Sequence, residues 1–258
     1  MPSYNFPMPN ADQSSAHAAA RARGDAIHIT GISSMATRQV LAELTSAFSE
    51  RTAHTVAIES VGGVDAAKRV QAGEDFDVAV LASDAIDKLI ASGAIAAGSR
   101  VDLVRSGVAV AVRAGAALPD IASEEAVKRA VLAAKSLSYS TGPSGVALAK
   151  LFERWGIAEA VKDRTVQAPP GVPVGSLVAS GEVALGFQQL SELLHVNGIA
   201  IVGPLPDAIQ ITTIFSAGLP VQRNADTARA AVVKSLLDYM ASADAAAAKR
   251  RQGMEACL

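Results

Sequence analysis

The hydrophobic pattern near the start of the chain predicts a strand, a polar turn and an amphipathic helix. Residues 26–30 form a short run that is typical of a buried strand, and residues 31–34 (Gly-Ile-Ser-Ser) follow as a turn. Ser33 or Ser34 lies where a helix N-cap is expected. After Met35, apolar residues recur at the spacing of a helix, at Val40, Leu41, Leu44 and Phe48.

The same alternation continues through the first hundred residues. Residues 54–60 and 77–81 have the pattern of strands, and each is followed by a helical pattern that ends at a glycine, Gly73 or Gly93. Residues 77–81 (Asp-Val-Ala-Val-Leu) are nearly all apolar, as in parallel strands that are buried on both faces. Repeated strand–helix units of this kind predict an α/β fold with a mostly parallel sheet flanked by helices.

A second unit of the opening kind lies in the middle of the chain. Residues 136–140 have the pattern of a strand, residues 141–145 (Thr-Gly-Pro-Ser-Gly) that of a turn, and residues 146–155 that of a helix. Its resemblance to the opening unit indicates that the same strand–turn–helix unit occurs in two separate parts of the fold.

We therefore expect two lobes. Lobe 1 comprises residues 26–104 and 209–258, and lobe 2 comprises residues 105–208. Two crossings between the lobes predict a hinge, with a ligand in the cleft between them. Residues 1–25, which are rich in Pro, Asn, Ser and Ala, are predicted to form a mobile N-terminal arm.

Four turns fall at the predicted carboxyl ends of strands, where open α/β sheets bind ligands: residues 31–34, 61–63, 140–145 and 170–174. Their hydroxyl groups, their glycine N–H groups and the positive ends of the helices that follow favour an anion. The alternative is that the serines only cap their helices. One such turn in each predicted lobe favours an anion site in the cleft.

Composition narrows the classes of function. Half of the 258 residues are apolar, which allows a sizeable core, and a net charge of −2 argues against a nucleic-acid binder. The chain has one cysteine, Cys257, and therefore no internal disulfide, and its four histidines have no partners at metal-ligand spacing. It carries no phosphate-binding loop, dinucleotide fingerprint or nucleophile elbow. We expect no metal and no cofactor.

The chain resembles a known family in residues 27–35, 68–78 and 183–187. These segments are similar to the molybdate-binding-protein family, the periplasmic solute-binding proteins of ABC importers, and the likeness runs from Ala26 to the C-terminus. The resemblance implies the two-lobed type II periplasmic-binding-protein fold, with the ligand at the hinge. It also implies a periplasmic location, although residues 1–25 lack the basic start and continuous apolar segment of a secretory signal, so either a leader is missing from the sequence or the protein stays in the cytoplasm.

The family's molybdate site is only partly matched. Ser34 occupies the place of the serine in the first turn. Gly62 and Gly63 occupy the place of the second serine, and Gln189 that of a tyrosine. Two lost hydroxyl groups weaken the case for molybdate, and the absence of side chains at Gly62 and Gly63 makes room for a larger ligand.

Residues 186–193 and 198–206 are more similar to a branch of the family that includes aconitate isomerase, and this likeness extends to residues 89–103 and 172–178. It implies an organic-acid ligand and leaves catalysis open. The candidate ligand-binding residues are Ser33, Ser34, Arg38, Gly62, Gly63, Thr141, Ser144, Gly145, Val172, Val174, Gln188 and Gln189.

Several of these side chains have an alternative role that the sequence leaves open. Arg38 pairs with a ligand carboxylate or is a solvated helix residue, and Arg105 is either a second such partner or part of a surface ion pair. Gln188 and Gln189 either donate to a ligand or satisfy the end of their strand. Tyr139 is either a proton donor or a core residue.

Two hypotheses from different classes follow. The first is an ABC-importer solute-binding protein, predicted to be a monomer, that holds a small oxyanion or organic carboxylate and delivers it to a permease. The second is an isomerase on the same scaffold that shifts the double bond of a tricarboxylate, with acid/base residues that the sequence does not identify.

Overall fold

The computed structural model describes residues 26–169, 171–221 and 226–257. The predicted N-terminal arm, Pro170 and residues 222–225 lie outside that range. The described chain forms ten strands: β1 His28–Ser34, β2 Thr55–Val61, β3 Val78–Ala82, β4 Val101–Arg113, β5 Leu137–Tyr139, β6 Thr165–Gln167, β7 Leu185–Gln189, β8 Ile199–Pro204, β9 Thr212–Gly218 and β10 Glu255–Ala256.

Ten α-helices connect or follow these strands within the described ranges. They are α1 Arg38–Arg51, α2 Gly63–Gln71, α3 Ser83–Ala91, α4 Glu124–Ala133, α5 Pro143–Arg154, α6 Ala158–Val161, α7 Val174–Ser180, α8 Leu190–Leu193, α9 Thr227–Ala241 and α10 Ala246–Arg251. Short 3-10 turns precede α1 and α10, at Met35–Thr37 and Ala243–Ala245.

The strands form one continuous sheet in the order β2-β1-β3-β9-β4-β7-β5-β6, with β10 and β8 also paired to β4. The outer strands are parallel, as the alternation predicted: β2-β1-β3 on one side and β7-β5-β6 on the other. The strands in the middle, β9 and β4, are antiparallel to their neighbours.

The 13-residue strand β4 belongs to both lobes. Its residues 101–107 pair with β9, and its residues 108–113 pair with β7 and β8. The chain returns from β8 to β9, which makes the second crossing between the lobes. The predicted boundaries at residues 104/105 and 208/209 stay a prediction; the change of strand partner lies between Gly107 and Val108.

Gln210 ties the two crossings together. Its Oε1 accepts hydrogen bonds from the Val108 N–H (3.0 Å) and the Ile211 N–H (2.9 Å), and its Nε2 donates to the Leu205 carbonyl (3.2 Å). One side chain therefore satisfies backbone groups of both connecting segments, as buried polar groups require.

Separate apolar clusters fill the lobes. In lobe 1, α1 and α9 pack on one face of the sheet through residues such as Leu44 and Leu236, while α2 and α3 cover the other face. In lobe 2, a cluster around Phe152 and Phe187 joins α5 to the sheet. Since each lobe buries its own core, the surfaces that face each other across the cleft are not needed for core packing.

The first strand is longer than its sequence pattern predicted. β1 continues through Ser34, because residues 28–34 pair with β2 and residues 31–33 also pair with β3. Gly31 permits the second contact: a Cβ at this position would lie 2.8 Å from Val78 Cγ1 and 3.0 Å from the Val78 carbonyl oxygen. Ser33 is therefore a strand residue, and Ser34 precedes the 3-10 turn without a side-chain cap hydrogen bond.

Candidate ligand-binding cleft

A cavity of about 940 Å³ lies between the lobes. The four predicted turns all contribute to it, through Ser34, through Gly62 and Gly63, through residues 140–144 and through residues 171–173. The carboxyl ends of the parallel strands in the two lobes thus face one shared space, as the rule for open α/β sheets predicts.

Eight of the twelve candidate residues line this cavity: Ser34, Gly62, Gly63, Thr141, Ser144, Val172, Gln188 and Gln189. The structure brings these residues together from both lobes. Their role in ligand binding stays a prediction.

The other four candidates do not line the cavity. Ser33 is fully buried and hydrogen-bonded to Ser60 (Oγ to Oγ, 2.8 Å), because successive strand residues point to opposite faces. Arg38 lies after the 3-10 turn and lines a different groove, between α1 and β2. Val174 is buried in the core of lobe 2, and Gly145 packs beneath its own turn, where a Cβ would lie 1.7 Å from the Ser140 carbonyl oxygen.

Two further residues weighed from the sequence have structural roles. Arg105 is half-exposed and pairs with Glu255 across β4 and β10 at 2.5 Å. Tyr139 contacts Phe152 edge to face, with ring centroids 6.1 Å apart, and burial raises the pKa of its hydroxyl. Neither residue lines the cavity.

Helix N-termini surround the cavity. Five residues that immediately precede a helix or 3-10 turn line the cavity. They are Ser34 before the Met35–Thr37 turn, Gly62 before α2, Ala82 before α3, Gly142 before α5 and Pro173 before α7. None of the five gives a side-chain cap hydrogen bond. The first-turn N–H groups and the positive ends of the longer helices α2, α3 and α5 are therefore left for an anion.

Two polar side-chain atoms are buried in the cavity wall without a partner. Ser34 Oγ makes no hydrogen bond within the described chain, and neither does Gln189 Oε1. The Gln189 Nε2 donates to Thr213 Oγ1 at 2.8 Å. Since a hydroxyl group can also donate, a flip of the amide keeps that bond and presents the NH₂ group to the cavity. Both side chains can therefore donate to a negatively charged ligand.

Gln188 holds an acidic residue that the sequence analysis did not single out, Glu192. The Gly175 N–H donates to Gln188 Oε1 at 3.2 Å, which fixes the orientation of the amide, so Gln188 Nε2 must donate to Glu192 Oε1, at 2.9 Å. Glu192 is partly buried and lines the cavity. Burial raises the pKa of its carboxyl to about 7, against the opposing influence of the Gln188 hydrogen bond.

Charged residues at the mouth of the cleft differ from Glu192 in exposure and pairing. Asp65 and Asp84 are exposed and pair with the lysines one helical turn away, Lys68 at 3.7 Å and Lys88 at 3.6 Å. Lys150 contributes a third cation from lobe 2. Of the three acids of the described chain that line the cavity, Glu192 alone has no cationic partner.

A signal for Glu192 was present in the sequence. It is the one charged residue in the segment Gly186–Leu193, which is otherwise apolar or neutral, and it follows Gln188 by four residues. Strand β7 ends at the cleft and is followed directly by helix α8, so a residue in the first turn of α8 lies beside the cavity. Thr213 and the rim lysines carried no comparable signal, because their contribution depends on how the lobes pack.

The described residues show neither a metal cluster nor a membrane-spanning helix. They contain no group of three or more His, Cys, Asp or Glu side chains arranged to hold a metal ion. Within the same ranges, every helix is too short or too polar to cross a bilayer.

Similar proteins agree with this architecture. A family model described as bacterial extracellular solute-binding protein matches residues 29–255. An aconitate isomerase from Pseudomonas sp. is 44% identical over 191 residues, which cover 72% of this chain and 70% of that protein.

Solved structures share the fold at low sequence identity. The periplasmic molybdate-binding protein of Azotobacter vinelandii superposes with a TM-score of 0.72 at 21% identity, covering 89% of this chain and all of that one. A sulfate-binding protein from Mycobacterium tuberculosis H37Rv gives a TM-score of 0.69 at 12% identity, covering 88% of this chain and 86% of that one. The fold is thus the two-lobed type II periplasmic-binding-protein fold, and the chain belongs to the bacterial extracellular solute-binding protein family.

Proposed function

We propose that this protein captures a small organic polycarboxylate in the cleft between its lobes. The observation that carries the proposal is the ring of uncapped helix N-termini, contributed by both lobes, around one cavity. Such a ring binds anions through neutral N–H donors and helix dipoles, and it requires no buried cation. A ligand that contacts both lobes favours their closure around it, as in hinge-type binding proteins.

The size of the cavity favours an organic anion over a tetrahedral oxyanion. A volume of about 940 Å³ lies near the upper end of the range for small-molecule sites. Gly62 and Gly63 add no side chains to the wall. A Cβ built at Gly62 would lie 3.5 Å from Asp65 Oδ2 and 3.8 Å from Gly171 N, and one built at Gly63 would lie 3.5 Å from Ser34 Cβ. A ligand with two or three carboxylates can reach the donors of both lobes at once.

The cations at the mouth support a multiply charged ligand. Lys68, Lys88 and Lys150 line the cavity, and the first two are only loosely paired with neighbouring carboxylates in exposed positions. Exposed pairs of this kind are weak, so the lysines remain able to attract an incoming anion. Membership of the family supports delivery of the bound ligand to an ABC permease from a periplasmic location.

Calorimetry with six ligands tests this proposal: citrate, cis-aconitate, trans-aconitate, sulfate, molybdate and tungstate. We expect saturable binding of at least one tricarboxylate and weak or no binding of the three inorganic anions. Tight binding of molybdate or sulfate with no response to the tricarboxylates would contradict the polycarboxylate assignment and return the site to the oxyanion class.

A second function is favoured by one specific observation, the 44% identity to an aconitate isomerase over 70% of that protein. An enzyme of this kind converts cis- to trans-aconitate on the same scaffold and needs the same polycarboxylate site. Monitoring of cis-aconitate by NMR in the presence of micromolar protein distinguishes the two functions. Binding without conversion over several hours leaves a solute-binding protein, and appearance of the trans isomer identifies an isomerase.

A further inference from the structure

We infer that Glu192 is the catalytic acid/base of the cleft, the residue that moves the proton between two carbon atoms of a bound unsaturated tricarboxylate. This inference rests on the second proposed function, isomerisation of aconitate. It assigns a residue to the one step of that reaction that requires a proton acceptor and donor.

The position of Glu192 is the first reason. The residue follows β7 at the start of the short helix α8, and it lines the cavity shared by Ser34 of lobe 1 and Ser144 of lobe 2. Helix α8 packs against the Met35–Thr37 turn, so the glutamate lies where the two lobes meet. A ligand bound by donors of both lobes is therefore placed beside it.

The hydrogen bonds of Glu192 are the second reason. Because the Gly175 N–H fixes the Gln188 amide, Gln188 holds Glu192 through Oε1. The other oxygen, Oε2, has no hydrogen-bond partner in the described part of the chain. One oxygen thus positions the carboxyl group, and the second is free to exchange a proton with a ligand.

The electrostatic surroundings are the third reason. Among the described residues no cation pairs with Glu192, and burial raises the pKa of its carboxyl to about 7. A base with such a pKa is partly ionised at neutral pH and also returns the proton readily, which suits a group that must act in both directions. Asp65 and Asp84 lack this environment, since they are exposed and paired with lysines.

The proposed reaction is a proton shift across three carbons. Glu192 Oε2 removes a proton from the methylene carbon of aconitate, and the electron pair of the broken C–H bond delocalises into the adjacent double bond and carboxylates. The same oxygen then returns the proton to the former vinyl carbon. The double bond now lies between the other two carbons, its new geometry can be cis or trans, and the carboxylate of Glu192 is regenerated.

The remaining cleft groups stabilise the delocalised anion. Its charge develops on the carboxylates, which are the groups expected to contact Ser34, Thr141 and the N–H groups of the uncapped helix N-termini. Preorganised donors of this kind stabilise developing charge without reorganisation of solvent. Gln188 is a positioning residue, because it touches Glu192 and Gly175 in the structure.

Glu192→Gln tests the inference, since glutamine keeps an oxygen that accepts from Gln188 and removes the proton-transferring group. In D₂O, the native protein is expected to form trans-aconitate and to incorporate deuterium, because the protonated Glu192 carboxyl can exchange its proton with solvent before returning it. Glu192→Gln should slow both processes at least about 100-fold, the usual scale of a general base, while the calorimetric Kd changes by less than about threefold. The exposed glutamate Glu182 supplies the matched control, Glu182→Gln, which should behave as the native protein does.

The outcomes separate the inference from the function on which it rests. A native protein that isomerises aconitate, together with a Glu192→Gln variant that does so at a similar rate, would overturn the role of Glu192 and leave the isomerase standing. A native protein that binds aconitate but shows neither exchange nor conversion would overturn both. Glu192→Asp, which keeps the carboxylate on a shorter arm, should retain a measurable rate if the assignment is correct.

Discussion

The long helices of this protein begin in two different ways, according to where they point. The N-termini of α4 and α9 lie outside the cleft, and each is capped by a side chain: Ser123 Oγ accepts from the Ala126 N–H at 3.2 Å, and Asp226 Oδ1 accepts from the Ala228 N–H at 3.0 Å. The N-termini of α2, α3 and α5 face the cleft, and the residues before them give no side-chain cap. The same holds for the 3-10 turn that leads into α1.

This difference indicates what each group of helix ends is for. A side-chain cap stabilises a helix by about 1 kcal/mol, so the cleft-facing helices forgo several such contributions. The unsatisfied N–H groups that result are the donors that an anion requires. Under the proposed function, the cleft gives up some stability of the free protein in return for affinity, as functional sites commonly do.

The two regions also treat acidic residues differently. At the start of α4, Glu124 accepts hydrogen bonds from Trp155 Nε1 (2.6 Å) and Arg154 (2.8 Å), and these donors lower the pKa of its carboxyl. In the cleft, burial raises the pKa of Glu192. An outward acid is kept charged, whereas the cleft acid is kept close to its protonated form.

The largest effect is expected from Gly145→Ala, because the cleft-facing start of α5 requires a glycine there. The added Cβ would lie 1.7 Å from the Ser140 carbonyl oxygen, so the turn before α5 must move. We expect a loss of about 3 kcal/mol in the free energy of unfolding, measured by urea denaturation. Gly142→Ala is the matched control: its Cβ meets only Ser140 Oγ, at 3.6 Å, and a comparable loss there would show that any substitution in this turn is damaging.

Gly63→Asp should make the N-terminus of α2 repel an anionic ligand while it stabilises the helix. The aspartate has room, since the nearest atom to its Cβ is Ser34 Cβ at 3.5 Å, and its charge at the start of α2 should raise stability by about 0.5 kcal/mol. The same charge repels an anionic ligand, so tricarboxylate affinity should fall about 100-fold, or about 2.7 kcal/mol. Gly63→Asn, which has the same shape without the charge, controls for bulk. Equal affinities in the two variants would show that the ligand does not approach α2.

The smallest effects are expected from three serine substitutions, two in the cleft and one outside it. Ser34→Ala removes a buried hydroxyl that has no partner in the described chain, so the melting temperature should hardly change while tricarboxylate affinity falls about tenfold. Ser144→Ala should behave in the same direction. Ser123→Ala should do the opposite, costing about 1 kcal/mol of stability with unchanged affinity. Calorimetry gives the affinity and thermal unfolding the stability of all three variants. A Ser34→Ala variant that lost stability but kept its affinity would contradict the difference between cleft-facing and outward helix ends.

Much of the fold could be predicted from local patterns. The strand at residues 77–81 and the helix that carries Val40 and Leu44 were visible in the sequence, since apolar periodicity acts over a few residues. The extension of β1 through Ser34 and the continuity of β4 through both lobes were not visible. Each depends on a partner strand far away in the chain, and a 13-residue strand that changes partners at Gly107 and Val108 has no local signature.

The candidate site was predicted in outline, and four of its twelve candidate residues lie outside the cavity. Turns at the carboxyl ends of strands were correctly expected to share one space, and eight candidate residues line it. Arg38 lines the groove between α1 and β2 and not the cavity, and sequence spacing does not show which side of α1 faces the cleft. Glu192 was missed, because an acid becomes a candidate base only when tertiary packing buries it without a cation.

By itself, the sequence determined the alternation of strands and helices, the positions of the small polar turns and the family to which the chain belongs. The alternation and the turns follow from residue types and short spacings, and the family follows from the resemblance of longer segments to known proteins. Only the tertiary structure decided which helix ends stay uncapped around the cleft, which serine of the Ser33–Ser34 pair faces it, and that Glu192 is held by Gln188 away from any cation. Pairing between strands that are far apart in the chain and burial of side chains within each folded lobe set those properties.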